Sequence, residues 1–473
     1  MSAGQRLRGI DAAFLAIESP AMPMHIGALA LLDPATAPGG WSLEALRAHA
    51  ASRLHLAPVF RQRVVEIPFG LHHPVWLDDP DFDLDHHLHR LPVDPPGGEA
   101  ELLEAVAAVV AVPLDRSRPL WALHVAEGLA GGGAAVLAIS HHAANDGVAG
   151  TELLVRLLDL QPEPWPADPE PEPWAPPPLP VEAELIADAL SALAARPAEA
   201  VAAVRGTVEL FTRFRQHAAG DGAPGGRAAT APFSAPRTSL NVALGGPARR
   251  VALASLPLAE VRAVKAHFGT TVNDVVLAVC AGALRSWMAG RGEEPAGDLV
   301  ALVPASVRVE ADAGTAGNKV SPMLVSLFTR IDDAAERLAA IAASAGAAKA
   351  QERRVGSAVL SDWAEIAPPV LMAGAATLAS ALRLAEVVPP VYNVSISNVP
   401  GPPLPLYLAG ARVRAAYPLG PIVDGGVLNI TVVSYDGTLH FGLVADRSAV
   451  PDLETFAAGL VDSFTELAKA AGG

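Results

Sequence analysis

Two α/β lobes joined by a proline-rich linker are the fold class that this sequence predicts, and three observations predict it. At 473 residues the chain exceeds what one ordinary hydrophobic core serves. A stretch saturated with proline and acid, QPEPWPADPEPEPWAPPPLP at 161–180, interrupts it before its middle. On both sides of that stretch, short apolar runs of strand type alternate with helical periodicities.

In the first lobe, 1–180, HIGALALL (25–32) and AAVLAIS (134–140) read as strands, and LEALRAHAASRL (43–54) and GEAELLEAVAAVV (98–110) as helices. Proline fixes φ and removes amide donors, so 161–180 is neither helix nor central strand and reads as an extended connection. The linker, 181–234, opens Ala-rich, with Leu185, Ala189, Leu190 and Leu193 at helical spacing, and runs into a Gly- and Pro-rich loop over 221–239. In the second lobe, 235–473, Thr270 or Thr271 caps a helix through Val276, Leu277, Cys280 and Leu284, with Asn273 in its first turn. Val427–Tyr435, Asp436-Gly437 and Thr438–Asp446 form a hairpin signal, because Asp-Gly supplies the two positive φ angles of a tight turn. Leu453, Phe456, Leu460, Val461, Phe464 and Leu467 mark a final amphipathic helix after Pro451 and Asp452.

Composition narrows the function. Hydrophobic residues make up 51% and charged ones 18%, ample for two cores and greasy enough to suit contact with lipid, although an Ala-rich composition bias explains the same figures. A net charge of -16 opposes nucleic-acid binding, which needs a basic field. A local basic cluster, Arg249, Arg250, Arg262 and Lys265, is the exception, and ordinary surface placement is the simpler reading of it. One cysteine, Cys280, permits no internal disulfide and suits a reducing cytoplasm. Asp11 and Glu18 interrupt the N-terminal apolar residues, so no signal peptide is expected. The longest apolar helical stretch, Val370–Leu382, is shorter than the ~20 residues that cross a bilayer. Its face of Val370, Leu371, Leu378 and Leu382 is either inserted shallowly in a membrane or buried between lobes.

The densest chemistry is Ser140-His141-His142-Ala143-Ala144-Asn145-Asp146-Gly147, after an apolar strand and before the amphipathic run Val148–Leu160. Three readings compete: a packed histidine pair with a helix-capping Asp146, a metal site, and general-base catalysis. The metal reading needs a third ligand beside His142 and Asp146, and His86, His87 and His89 lie far upstream. An imidazole with an ordinary pKa of ~6.5 suits abstraction of a hydroxyl proton. Adjacent residues at a strand end point to opposite faces, so one histidine projects toward substrate and the other toward packing.

HHAANDG matches the H-H-x-x-x-D-G motif of the CoA-dependent acyltransferase superfamily, and the rest of the chain is similar to its bacterial wax ester synthase/diacylglycerol acyltransferase group. The matching segments are Phe14-Leu15, Glu18 and Pro23–Gly27, Pro119-Leu120-Trp121, Thr271–Ala278, Ser306-Val307-Arg308, Gly317-Asn318-Lys319 and Ser397–Pro402. The resemblance covers nearly the whole chain, and 161–180 departs from it by being longer and more acidic. It implies a two-lobe chloramphenicol acetyltransferase-like fold with mixed sheets and a channel between the lobes. It further implies His142 as base within a catalytic set of His142, His141, Asp146, Gly147 and Asn273, with Asp146 holding local architecture, and Asn273 with Asp274, a substrate-binding candidate, as a motif facing the channel. Trp121, Glu18, Arg308 and Asn398 join the substrate-binding candidates on the same ground. For Trp121 core filling is the common alternative, and Asn398-Val-Pro-Gly-Pro is turn-rich by its own chemistry.

The expected reaction joins an acyl-CoA co-substrate to a lipid alcohol, either diacylglycerol or a long-chain alcohol, with no metal or other cofactor. The expected setting is cytoplasmic, peripheral on a membrane or lipid droplet. The rivals are a condensation or polyketide-associated acyltransferase with a carrier-bound donor, and a catalytically silent lipid-binding protein.

Overall fold

The structure, a computed structural model, describes residues 4–144, 156–165, 174–195, 230, 232–306, 320–355 and 369–472. The first half supplies strands β1 (Gln5–Arg6), β2 (His25–Asp33), β3 (Gln62–Val65), β4 (Val75–Asp78), β5 (Leu88–Arg90), β6 (Trp121–Ala126), β7 (Ala134–His141) and β8 (Leu158–Asp159). Its helices are α1 (Gly9–Ile17), α2 (Leu43–Ala51) and α3 (Glu99–Val110), followed by α4 (Glu182–Ala195) in the linker. Beyond the linker come β9 (Arg249–Pro257), β10 (Val300–Ser306), β11 (Val320–Ser326), β12 (Val394–Val399), β13 (Tyr407–Leu408), β14 (Ala411–Leu419), β15 (Leu428–Tyr435) and β16 (Thr438–Asp446). The helices there are α5 (Leu258–Phe268), α6 (Val272–Gly290), α7 (Ala334–Val355), α8 (Pro369–Ala381) and α9 (Leu453–Ala470).

Two mixed sheets organise the molecule. The first has the order β5-β6-β7-β2-β14-β13-β8, the second β11-β10-β12-β15-β16-β9, and a small β1-β4-β3 sheet flanks the first. Alternation divides the first sheet's residues between two cores. Ala134, Val136 and Ala138 of β7 pack with Leu46 of α2 on one face. Ala135, Leu137 and Ile139 pack on the other with Val106 of α3 and with Val251 and Val444 of the second sheet. The second sheet's opposite face buries Ile430 and Phe441 against α6, α7 and α9.

The chain beyond 235 is not confined to the second lobe. β14 pairs antiparallel with β2 and completes the first sheet, and the chain then returns to the second sheet as β15. Ala411 and Val413 belong to one core and Leu419 to the other, so β14 needs apolar cover on both faces and an interior position provides it. The sheets touch where Gly442 of β16 lies under the Pro418 carbonyl: a Cβ there would sit 1.9 Å from that oxygen.

Several local expectations hold. The hairpin turns at Asp436 (φ 43°) and Gly437 (φ 84°), and Thr271 caps α6 with its side chain. The longest apolar helix, however, is α6 and not 370–382. Among the described residues only Val272–Gly290 reaches the length and apolarity of a membrane span, and Val275–Leu284 within it is buried throughout. A helix apolar on all sides and enclosed by other elements is a core helix. The basic cluster also disperses. Arg249 is buried and donates to the carbonyls of Ala21 and Gly246, and Arg250 pairs with Glu104 and Glu454.

Candidate active site

β7 is buried along its whole length and delivers the histidine pair at its end. His141 N–H donates to the Leu120 carbonyl (2.9 Å), and His142 N–H to that of Met24 (2.8 Å), where a 3-10 turn over His142–Ala144 begins. Small Ala143 and Ala144 let this turn pack against Leu15 of α1.

His141 faces inward and is fully buried. Its Nδ1 accepts the Ala143 N–H at 3.0 Å, so the proton of the neutral ring resides on Nε2. Nε2 lies 3.3 Å from Glu18 Oε1. Glu18, at the C-terminal end of α1, also accepts the Met24 N–H (3.0 Å) and a fork from Arg116, Nε at 3.0 Å and Nη2 at 2.8 Å. Burial pushes the Glu18 carboxyl up, but His141, the Met24 amide and Arg116 outweigh it and hold the pKa at about 2. Across the strands His25 pairs in register with His141. Burial lowers its imidazole to about 4 against the opposing pull of Glu18.

His142 is different. It is half-buried, and its ring stacks on Phe14 with centroids 3.8 Å apart and planes at 21°. Burial lowers its pKa to about 4, its own backbone carbonyl works the other way, and the adjacent His141 lowers it further. The ring is therefore neutral at pH 7. Its Nδ1 is buried without a hydrogen-bond partner among the described residues.

The remaining sequence candidates fall into three groups. Asp146, Gly147 and Arg308 lie outside the described residues. Asn273 is half-buried in the first turn of α6, and no hydrogen bond or ion pair among the described residues links it to the histidines. Asn398 is half-buried on β12, in register with Val432.

Three candidates have internal partners. Trp121 fills the core. It stacks on His87 (4.4 Å) and donates its indole N–H to the Phe60 carbonyl (3.0 Å), so both its apolar body and its polar tip are satisfied internally. Asp274 closes a capping box, accepting from the Thr271 amide (2.9 Å) and hydroxyl (2.8 Å). Glu18 is spent on His141, Met24 and Arg116 as described.

Sequence reasoning missed Arg116 and did not single out the Phe14 stack. Arg116 sits in a polar loop before Pro119 with no motif around it, and only its fork onto a buried carboxylate reveals it. Among the described residues no group of three or more His, Cys, Asp or Glu is arranged to hold a metal ion. Cys280 is fully buried in α6, and burial pushes its thiol up to about 12.

Comparison with known proteins gives the family. Residues 7–276 match the model of the wax ester synthase/diacylglycerol acyltransferase catalytic domain, and 316–468 that of the WS/DGAT C-terminal domain. A probable diacylglycerol O-acyltransferase of Mycobacterium tuberculosis is 37% identical over 471 residues, covering 98% of both chains. The structure of a wax ester synthase/diacylglycerol acyltransferase from Marinobacter aquaeolei superposes with a TM-score of 0.69 at 30% identity, covering 99% of this chain and 100% of that one. A condensation domain of the calcium-dependent antibiotic synthetase shares the fold, with a TM-score of 0.54 at 16% identity over 100% of this chain and 97% of that one. Motif, site and full-length similarity converge: the chain belongs to the wax ester synthase/diacylglycerol acyltransferase family and is an acyl-CoA-dependent O-acyltransferase of the two-lobe fold.

Proposed function

We propose that this enzyme esterifies a lipid alcohol, diacylglycerol or a long-chain alcohol, by direct transfer from acyl-CoA with His142 as the base. The observation that carries this is the division of labour between the two histidines. His141 is buried and held by Ala143 and Glu18, whereas His142 is neutral, half-buried and backed by an aromatic ring. His142 Nε2 takes the hydroxyl proton as the alcohol oxygen bonds to the thioester carbon. Asn273 and the first amides of α6 donate to the developing oxyanion. The C–S bond then breaks, and the imidazolium returns its proton to the thiolate of CoA. The steps as written use no metal or redox group.

Acceptor and donor are read from products. Purified enzyme with a radiolabelled long-chain acyl-CoA is offered diacylglycerol and a long-chain alcohol separately, and the expected result is a neutral ester from one or both with release of free CoA. Absence of ester with every acceptor, together with transfer from a carrier-bound acyl group, contradicts the reading.

The same reading places the enzyme on a membrane or lipid-droplet surface from the cytoplasmic side. The 370–382 face supports this because it is exposed and not buried between lobes: Leu371 is 66% exposed, Leu378 58% and Leu382 57%. Gly70 abuts Val370, which brings Phe69 beside this face, 82% exposed and at φ 61°. α8 packs on α1, the helix that carries Phe14. Apolar side chains at such a site enter the acyl boundary of a bilayer. In liposome flotation the wild type is expected to float with vesicles and the double variant Phe69→Ser/Leu371→Ser to remain at the bottom with unchanged melting. Equal flotation of the two rejects this surface.

A further inference from the structure

Four features that hold His142 in place meet at one carboxylate. Phe14, which stacks on the His142 ring, belongs to α1, and α1 ends at Glu18. The Met24 carbonyl, which accepts the His142 amide, belongs to the residue whose own amide donates to Glu18. His141, the covalent neighbour of His142, presents Nε2 to the same carboxylate. The fourth is Arg116. Its fork closes on Glu18 Oε2, its Nη2 also donates to the Leu15 carbonyl of α1 (2.6 Å), and its Nη1 reaches Glu66 Oε1 (3.2 Å).

We propose that Arg116 is a positioning residue for acyl transfer, acting through Glu18 and His141 to fix where the His142 ring stands. The physical case rests on what the fork does. Two N–H groups of one planar guanidinium converge on the single oxygen Oε2 and hold that end of the carboxylate in place. With Oε2 anchored, the other oxygen, Oε1, stays within reach of the Met24 amide (3.0 Å) and of His141 Nε2 (3.3 Å). With Oε1 in place, His141 keeps its proton on Nε2 and leaves Nδ1 to accept from Ala143, which holds the 3-10 turn at His142. Without those two bonds Glu18 is held only through Oε1 by the Met24 amide, so the acceptor opposite His141 Nε2 is less firmly placed and the inner anchor of the turn that starts at His142 loosens. The hydrogen bonds of Arg116 go to Glu18, Glu66 and Leu15 and not to the His142 ring, so its effect on His142 belongs to orientation and not to proton transfer.

A misplacement of the order of 1 Å at a reacting group lowers rate by ~10²-fold. Removal of Arg116 is therefore expected to lower kcat while leaving KM for both substrates unchanged, since ground-state binding does not pass through this network. The inference rests on His142 as the base, and the experiment separates the two claims. Arg116→Ala, Arg116→Lys and Glu18→Gln are assayed for kcat and KM, with guanidinium added at non-denaturing concentration. Imidazole nitrogen spectra by NMR report the His141 tautomer independently of turnover. Expected are a kcat loss of ~10²-fold in Arg116→Ala, partial recovery with guanidinium, and an intermediate value for Arg116→Lys, which keeps the charge but not the fork. His141 is expected to lose its single Nε2–H form in Arg116→Ala and in Glu18→Gln. Wild-type kcat in Arg116→Ala, or a loss that guanidinium does not recover while the His141 spectrum stays that of wild type, overturns the proposal. His142→Ala retaining turnover while Arg116→Ala shifts the His141 spectrum would sink the base assignment alone.

Discussion

Burial holds the His142 imidazole near 4, and a general base works only in its neutral form. Activity therefore rises with pH through the pKa of the free enzyme and is flat above it. An unperturbed histidine would put that limb at 6.5, whereas here kcat/KM from short single-turnover reactions is expected to hold level through 6.5 and fall only toward 4. A limb centred at 6.5 would contradict the observed environment of the ring. Cys280 gives a second residue-scale prediction. A thiol pushed up to about 12 in a closed core supplies no thiolate at neutral pH. Cys280→Ala is expected to keep its turnover, and intact mass of enzyme with acyl-CoA but no alcohol to show no acyl adduct; an adduct would replace direct transfer with a covalent route. The histidine pair was legible because two adjacent histidines after an apolar run are a local pattern. Arg116 was not, because its meaning lies in a carboxylate 98 residues away. The partners of Trp121 and Asp274, the Phe60 carbonyl and the Thr271 cap, were not legible either, since each indole or carboxylate partner is chosen in the fold.

Elements whose signals are local came through intact. Asp436-Gly437 turns the β15–β16 hairpin and Thr271 opens α6, since both depend on a few neighbouring residues. Thr271→Ala removes the cap and its reciprocal bonds with Asp274, and is expected to cost about 1 kcal/mol of stability in urea unfolding. No loss would show that packing of α6 alone holds its end. The placement of β14 in the first sheet was not legible, because strand partners are chosen across the chain and its apolar pattern fits an interior position in either sheet. Gly442 tests that placement. An added Cβ meets the Pro418 carbonyl at 1.9 Å, and backbone cannot swing aside as a flexible side chain does. Gly442→Ala is expected to destabilise by at least ~1–3 kcal/mol. An unchanged melting temperature would mean that the sheets do not approach there.

At the scale of the whole molecule, burial of titratable groups makes acid the main threat to the fold. Burial lowers His25, His87, His124, His142 and His440 from 6.5 to about 4. Between those values the unfolded chain binds protons that the folded one refuses, so stability is full above 6.5 and declines as pH falls toward 4. Glu18, held at about 2, adds a loss that begins only below its ordinary 4.5. Urea midpoints are expected to fall steadily from pH 7 to pH 5, and a constant midpoint over that interval would show these imidazoles to be solvated. The two-lobe architecture itself was legible from length, the break at 161–180 and mixed periodicities, while the exposed surface around Phe69 and α8 was not, since apolar spacing alone does not distinguish a buried face from a docking one. The account as a whole turns on which histidine moves the proton. The decisive measurement is single-turnover acyl transfer by His142→Ala and His141→Ala, each with its melting curve. His142→Ala is expected to keep its fold and lose turnover by ~10²–10⁴-fold or more; His141→Ala is expected to melt earlier, by ~1–3 kcal/mol, and to retain part of its activity. A folded but inactive His141→Ala beside an active His142→Ala would contradict it.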